Sequence, residues 1–215
     1  YSHEFQVLAE SGEDVIAYSD SSDYAANVER ASALPPTTTR AAPGAAMTRF
    51  ATPEANRVVH LETQFGIAAA ASVKTLFVAG EQDELVALVL RGDHELNEIK
   101  AEKHPLVKSP LDMVDKAVVK SRLGAEVGSL GPVGLTMPVL VDRDAALLSD
   151  FVCGANETGF HYRDVNWDRD CQYTDVADLR LVVEGDESPD GEGKLTFARG
   201  IEVGHIFQLG DKYSK

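Results

Sequence analysis

Cysteine, tryptophan, basic charge and long apolar runs are scarce in this 215-residue chain, and several of these shortages exclude a class of protein. Two cysteines, Cys153 and Cys171, cannot build the disulfide framework of a small secreted domain, and as free thiols they suit a reducing cytosol. Neither shows zinc-type spacing with His94 or His104, so no metal is expected. The longest apolar run, Leu85 to Leu90, is far below the ~20 residues of a membrane-spanning helix, so no membrane partner is expected. No basic segment followed by an apolar one opens the chain, which gives export no support and makes a cytoplasmic location the expectation. Lys+Arg number 20 against 35 Asp+Glu, a formal net charge of −15. Such a chain repels phosphate at long range and cannot grip nucleic acid by a broad basic surface. Any contact with RNA must be confined to a small pocket for one end of the molecule. Solubility alone also accounts for the acidity.

What is present is enough apolar material, 44%, to bury a core for one domain plus an appendage. Phe5 and Val7 alternate with polar residues as in a half-buried strand, and an acidic, helix-compatible stretch runs from Tyr24 to Ala33. Leu34-Pro35-Pro36-Thr37-Thr38-Thr39-Arg40-Ala41-Ala42-Pro43-Gly44 reads as an extended or disordered linker and a domain boundary. Thr52-Pro53-Glu54 has the chemistry of a helix start, with Thr52 as cap and Pro53 in the first position; Val58, Leu61 and Phe65 form its apolar stripe and Gly66 its stop. Strands are predicted over Lys74–Val78 and Leu85–Leu90 around an acidic turn, then helices over Glu95–Lys103 and Leu111–Ser121. A buried strand over Met137–Asp142, a short helix over Ala145–Phe151 and an inner strand over Leu179–Val183 follow. Paired strands with interspersed helices favour an α+β fold, a mixed or antiparallel sheet packed with helices, over a doubly wound one.

Several short motifs recur in a recognisable order. They are Thr52-Pro53, Ser72-Val73-Lys74-Thr75, Gly128-Ser129-Leu130-Gly131-Pro132, Val139-Leu140-Val141-Asp142-Arg143, Ser149-Asp150-Phe151, Gly154-Ala155-Asn156 and His161-Tyr162. In this spacing they resemble the YbaK-like editing domain inserted in bacterial-type prolyl-tRNA synthetases, over about Ala51 to Asp190. Residues 2–8 and 200–214 resemble the catalytic-core strands that flank that insertion, with Glu202 and His205 at proline-site positions. The resemblance implies this organisation: 1–28 as an N-terminal core stub, 29–47 as linker, 48–190 as editing domain and 191–215 as a C-terminal core stub. It implies hydrolysis of alanine mischarged onto proline tRNA, with the 3′ end of that tRNA and the rest of the synthetase as partners. Editing would need no cofactor; ATP and Mg would belong to the parent enzyme's synthetic site. The competing class is a non-catalytic insertion that positions the acceptor end or stabilises the synthetase.

The chemistry has an independent rationale. A site shaped for proline cannot strongly reject a smaller amino acid, since missing methylenes are worth only ~1–3 kcal/mol, so a second sieve is needed. The substrate ester is already activated, so water, an oxyanion hole and placement can suffice. Lys74 is the functional lysine of the family and could hold a phosphate or ribose oxygen; otherwise it is a surface lysine. Gly128 and Gly131, with Ser129, Leu130 and Pro132, could let backbone N–H groups approach the substrate, or form a plain turn. Asp142 could bind the substrate ammonium or water, or pair with Arg143. His161 occupies the family position tied to amino-acid discrimination, or packs. Thr52 and Asn156 could face the pocket, although capping alone accounts for Thr52.

Other signals are weaker. Asp164 to Asp170 mimics a calcium loop, but Arg169 stands where glycine is needed. Gly128-Ser129-Leu130-Gly131 has the form of an RNA-binding GxxG loop without basic neighbours, and Ser129 is not in a serine-hydrolase elbow.

Overall fold

The computed structural model describes residues 2–82 and 84–207. They fall into two compact units, one within Tyr1–Leu34 and Leu181–Lys215, the other Pro35–Arg180. Of the C-terminal segment likened to a core strand, 208–214 lies outside the described residues.

The first unit is an antiparallel sheet. Strand β1 (Ser2–Leu8) pairs with the long β11 (Leu195–Phe207), which pairs with β2 (Asp14–Ser19), which in turn pairs with β3 (Ala25–Asn27). The first and last described strands thus pair with each other. Ala17, Ala31, Val182 and Leu195 form a small core, while Phe5, Val7, Ile201, Val203 and Ile206 stand exposed. The acidic stretch from Tyr24, predicted helical, instead supplies β3 and a turn. Within it Asn27 Oδ1 accepts the amide of Glu29, a local bond that competes with a helix.

The second unit holds two sheets joined at one point. β4 (Thr48–Ala51), β9 (Phe160–Val165) and β8 (Phe151–Gly154) are antiparallel neighbours. β5 (Val73–Ala79) pairs antiparallel with β6 (Leu85–Arg91); β7 (Val139–Asp142) and β10 (Asp175–Ala177) continue in parallel. A parallel bridge between Ser72 and Val152 links β5 to β8. β6 is apolar at almost every position because both its faces are covered. Ala87 and Val89 face a core with Val73, Phe77, Val141, Phe151 and Trp167; Leu88 and Leu90 face another with Val78, Leu140 and Leu179.

The helices are fewer and shorter than predicted. α1 (Val58–Phe65) ends on Gly66, left-handed at φ 66°, as read from sequence. Its start differs: Arg57 occupies the cap position without a side-chain bond, and Glu54 at φ 64° turns the chain before the helix begins. α2 (Glu98–Ala101) is one turn capped by Asn97, and α3 (Lys116–Leu123) is capped by Asp115. Ala145–Leu147 is only a 3₁₀ turn, and Phe151, placed in a helix by the sequence reading, begins β8. Leu179 is buried in a loop and the inner strand expected over Leu179–Val183 does not form; the strand beside β7 is β10, just before it. The Pro/Thr/Ala segment, expected extended or disordered, holds no helix or strand, and it is anchored: Ser149 Oγ donates to the Ala41 carbonyl at 2.6 Å, and Gly44 N donates to Asp150.

Candidate functional site

The end of β4 and the turn between β8 and β9 bring most of the predicted residues together. Thr52 follows β4; its amide donates to the Gly159 carbonyl at 2.7 Å and its side chain is fully buried. Because the helix starts later, Thr52 Oγ1 is free of capping and meets His161 Nδ1 at 2.6 Å. His161 is 4% exposed, in register with Phe50 on one side and Gly154 on the other. Burial lowers its pKa from 6.5 to about 4, so the ring is neutral at pH 7. A neutral imidazole has one N–H and one bare nitrogen, so the Thr52 bond sets the role left to Nε2.

The glycine loop packs by backbone on the residues that flank this pair, Gly159 and Gly154. Ser129 Oγ accepts from Gly159 N at 3.0 Å, and its carbonyl accepts from Asn156 N at 2.8 Å. Asn156, left-handed at φ 54°, accepts from Gly131 N through Oδ1 and donates Nδ2 to the Val133 carbonyl, clamping the loop. A Cβ on Gly128 would lie 2.3 Å from Asn56 Cα, and one on Gly131 2.1 Å from the Gly154 oxygen. The glycines here admit neighbouring chain, and the Gly131 amide is already committed. Leu130 is buried in the main core and Pro132 is also buried.

Lys74 and Asp142 bond to groups other than that pair. Lys74 Nζ bonds Glu95 Oε1 at 2.8 Å, the lysine side chain 19% and the glutamate 77% exposed. Two residues beyond the Ser72–Val152 bridge, β5 reaches Lys74 and β8 reaches Gly154, which pairs with His161. Asp142 ends β7 at 1% exposure; its oxygens accept from Asp144 N at 3.1 Å and Leu179 N at 2.9 Å, and burial pushes its pKa up. Arg143, its expected partner, lies instead 3.9 Å from Asp178.

Together with Asp142 itself, His94 and Asp144 form the described group of three best arranged for a cation, with ligand atoms within 4.8 Å of one another. Guanidinium groups already serve them: Arg180 Nε donates to Asp144 at 2.6 Å and Arg91 Nη2 contacts His94 Nε2 at 2.8 Å. The calcium-like loop is cross-braced by protein groups. Asn166 N donates to Asp170, Arg169 Nη2 to the Asp164 carbonyl, and Arg40 pairs with Asp168.

Sequence reasoning gave no site role to Glu95, Asn56 or Gly159. Glu95 gave no signal, being one acid among many. Gly154 was visible only as part of the Gly154-Ala155-Asn156 motif. A Cβ there would lie 2.3 Å from Ser129 C and 2.4 Å from Leu130 C.

Residues 52–171, more than half of the chain, match the family model described as the aminoacyl-tRNA editing domain. Solved structures share the fold. One, described as a candidate trans-editing enzyme for prolyl tRNA synthetase, aligns at TM-score 0.51 and 19% identity, covering 63% of this chain and 87% of that one. A hypothetical protein aligns at TM-score 0.51 and 19% identity, over 63% and 91% of the two chains. A scaffold protein from computational epitope grafting gives 0.52 and 20%, over 64% and 88%.

Proposed function

Because the chain belongs to the aminoacyl-tRNA editing domain family, whose activity is aminoacyl-tRNA deacylation, we propose that it hydrolyses alanine wrongly esterified to proline tRNA. The observation that carries the reading is the buried Thr52–His161 pair, with the Gly128–Pro132 loop locked by backbone to Gly154 and Gly159 beside it. Walls made of backbone cannot swing aside as side chains do, so the site width is fixed, as a size sieve requires. A small aminoacyl group enters; the proline ring does not.

In this reading water adds to the ester carbonyl, the bond to the ribose oxygen breaks, and alanine and tRNA with a free terminal hydroxyl leave. Lys74 exchanges its exposed partner Glu95 for a phosphate or ribose oxygen of the terminal adenosine, a cheap exchange because exposed ion pairs are worth only ~0–1 kcal/mol. Neutral His161 offers a hydrogen bond and a wall without attracting a second charge. The substrate's own ribose hydroxyl orients the water. Asn156, Ser129 and Gly131 hold the wall, and Asp142 fixes the end of β7 through the Asp144 and Leu179 amides. No metal or cofactor takes part.

The proposal extends to context. Residues 48–190 are assigned as the editing domain, with 1–28 and 191–215 as strands of a synthetase core and 29–47 as linker. The parent enzyme would ligate proline to tRNA with ATP in the cytoplasm. The exposed Phe5, Val7, Ile201 and Val203 support this, since apolar strand faces of that kind are normally covered by further chain.

The test is release of alanine from alanyl-tRNA(Pro), with prolyl-tRNA(Pro) as control, by the wild-type chain and by Lys74→Ala. Rapid loss of alanine, persistence of proline and inactivity of the variant are expected. Equal hydrolysis of both esters would refute the sieve, and a fully active Lys74→Ala would refute the lysine's role.

A further inference from the structure

Beside the Thr52–His161 pair lies an arginine–aromatic stack that the proposed chemistry leaves unused. β9 carries His161 and Arg163 two positions apart, hence on one face and about 7 Å apart along the strand. Phe50, on the edge strand β4, is in register with His161, and its ring centre lies 6.3 Å from the imidazole. The Arg163 guanidinium carbon lies 4.1 Å above the Phe50 ring, and Phe65 meets that ring edge-on at 6.2 Å. The aromatic pair therefore fixes where the guanidinium sits, at the rim of the site and exposed.

Among the described residues its charge is left unpaired by the acids of the chain, as at Arg30, Arg57, Arg122 and Arg199, but it alone of these is stacked beside the Thr52–His161 pair. Arg40, Arg49, Arg91, Arg169 and Arg180 are each paired with a carboxylate. Arg163 has no carboxylate within ion-pair distance among the described residues, although Asp and Glu outnumber Lys and Arg 35 to 20. An exposed, unneutralised guanidinium next to the site is where an incoming phosphate meets the least repulsion. A guanidinium laid flat on a ring also keeps its other face open for a second planar group, and its N–H edge open for phosphate oxygens. Single-stranded RNA offers both: bases that stack on arginine planes and a phosphate at each nucleotide.

We propose that Arg163, seated on Phe50, binds the single-stranded 3′ end of the tRNA, stacking one base on the guanidinium and meeting the adjacent phosphate, so that the terminal ester reaches Thr52 and His161. This rests on the deacylase reading above. Arg163 is a binding residue and takes no part in bond-making.

The experiment measures affinity of uncharged tRNA(Pro) for the whole chain across a salt series, with intact tRNA and with tRNA trimmed of its single-stranded 3′ end. Arg163→Ala is expected to weaken intact tRNA about tenfold. The slope of log affinity against log salt should fall by about 0.7, one single-strand phosphate. Arg163→Lys should keep the slope and lose part of the affinity, because it keeps charge without the plane. Neither variant should change affinity for trimmed tRNA or the unfolding of the domain. Unchanged binding of intact tRNA by Arg163→Ala, an equal loss on trimmed tRNA, or no binding by the wild-type chain at low salt would each overturn the proposal. Alanine release measured in parallel separates the two ideas. Arg163-dependent binding without alanine release refutes the substrate and leaves this inference standing. Rapid release indifferent to Arg163 does the reverse.

Discussion

Thr52 and His161 bury a hydroxyl and an imidazole against each other at 2.6 Å, and two expectations follow at the scale of the single residue. Thr52→Val keeps the shape and removes the oxygen, leaving a buried ring nitrogen without its partner. Such a loss costs about 1–3 kcal/mol. Thr52→Ser restores the oxygen and should recover most of that loss. Urea unfolding of the three proteins decides it: equal midpoints for Val and Ser would mean the bond contributes nothing. The second expectation concerns protonation. Since burial holds His161 at about 4, the ring is neutral throughout pH 5.5–8. Alanine release should therefore show no inflection near 6.5 that His161→Gln removes. Such an inflection would mean that the ring titrates at its ordinary value and acts as a proton carrier.

At the scale of the element, the glycine loop and the end of β8 depend on atoms that are not there. A Cβ at Gly154 would strike backbone, Ser129 C at 2.3 Å and Leu130 C at 2.4 Å, and backbone cannot rotate away. Gly134 is also glycine, but at φ 73° with nothing within 4 Å of an added Cβ. Gly154→Ala should thus cost more than about 2 kcal/mol and disable deacylation. Gly134→Ala should cost about 1 kcal/mol, the price of a left-handed backbone, and leave activity intact. Similar losses of stability and activity at the two positions would contradict the close-packed loop. The same elements mark what was legible in the sequence. β5 and β6 were placed to within a residue or two, because Val73–Ala79 and Leu85–Arg91 are β-branched and apolar enough to be strands in any context. The turn at Thr52 was misread, because Thr-Pro-Glu is good helix-start chemistry and only the contacts to Gly159 and His161 divert it. Phe151 was placed at a helix end and Val152 to Gly154 in no element, because a short apolar run has no period of its own and pairing with β9 decides it. Thr52, His161 and the loop were legible as a set through their ordered motifs. Glu95 was not, since its meeting with Lys74 depends on how the chain after β6 folds back.

At the scale of the whole molecule, acid sets two effects against each other. His94 and His161 both lie at about 4 when folded, against an ordinary 6.5, burial being the main cause in each. Unfolding frees them to bind protons at 6.5. Between pH 6.5 and about 4 the unfolded chain therefore carries more protons, and stability falls as pH falls, by at most about 1.4 kcal/mol per pH unit for each ring. Above 6.5 both states are neutral at these rings, and their contribution is complete. Asp142 acts in the other direction. Burial raises its folded pKa, so the folded carboxyl takes a proton before the unfolded one does, and acid returns some stability there. The net charge of −15 also acts that way, because protonating carboxylates relieves self-repulsion, but that term is largely screened at moderate salt. Two imidazoles outweigh one carboxyl, so the unfolding midpoint at 0.2 M salt should drop steadily from pH 6.5 to 4.5. Trp167, the only tryptophan, is 2% exposed with its ring 4.9 Å from Phe151, and its fluorescence follows this unit alone. His161→Gln should remove about half the slope, and His161→Gln with His94→Asn nearly all of it. A midpoint that stays level or rises across that window would show that the rings keep their ordinary protonation in the folded chain. The Thr52–His161 pair would then lack the tight burial that lowers the imidazole pKa, and with it the fixed width on which discrimination by size depends.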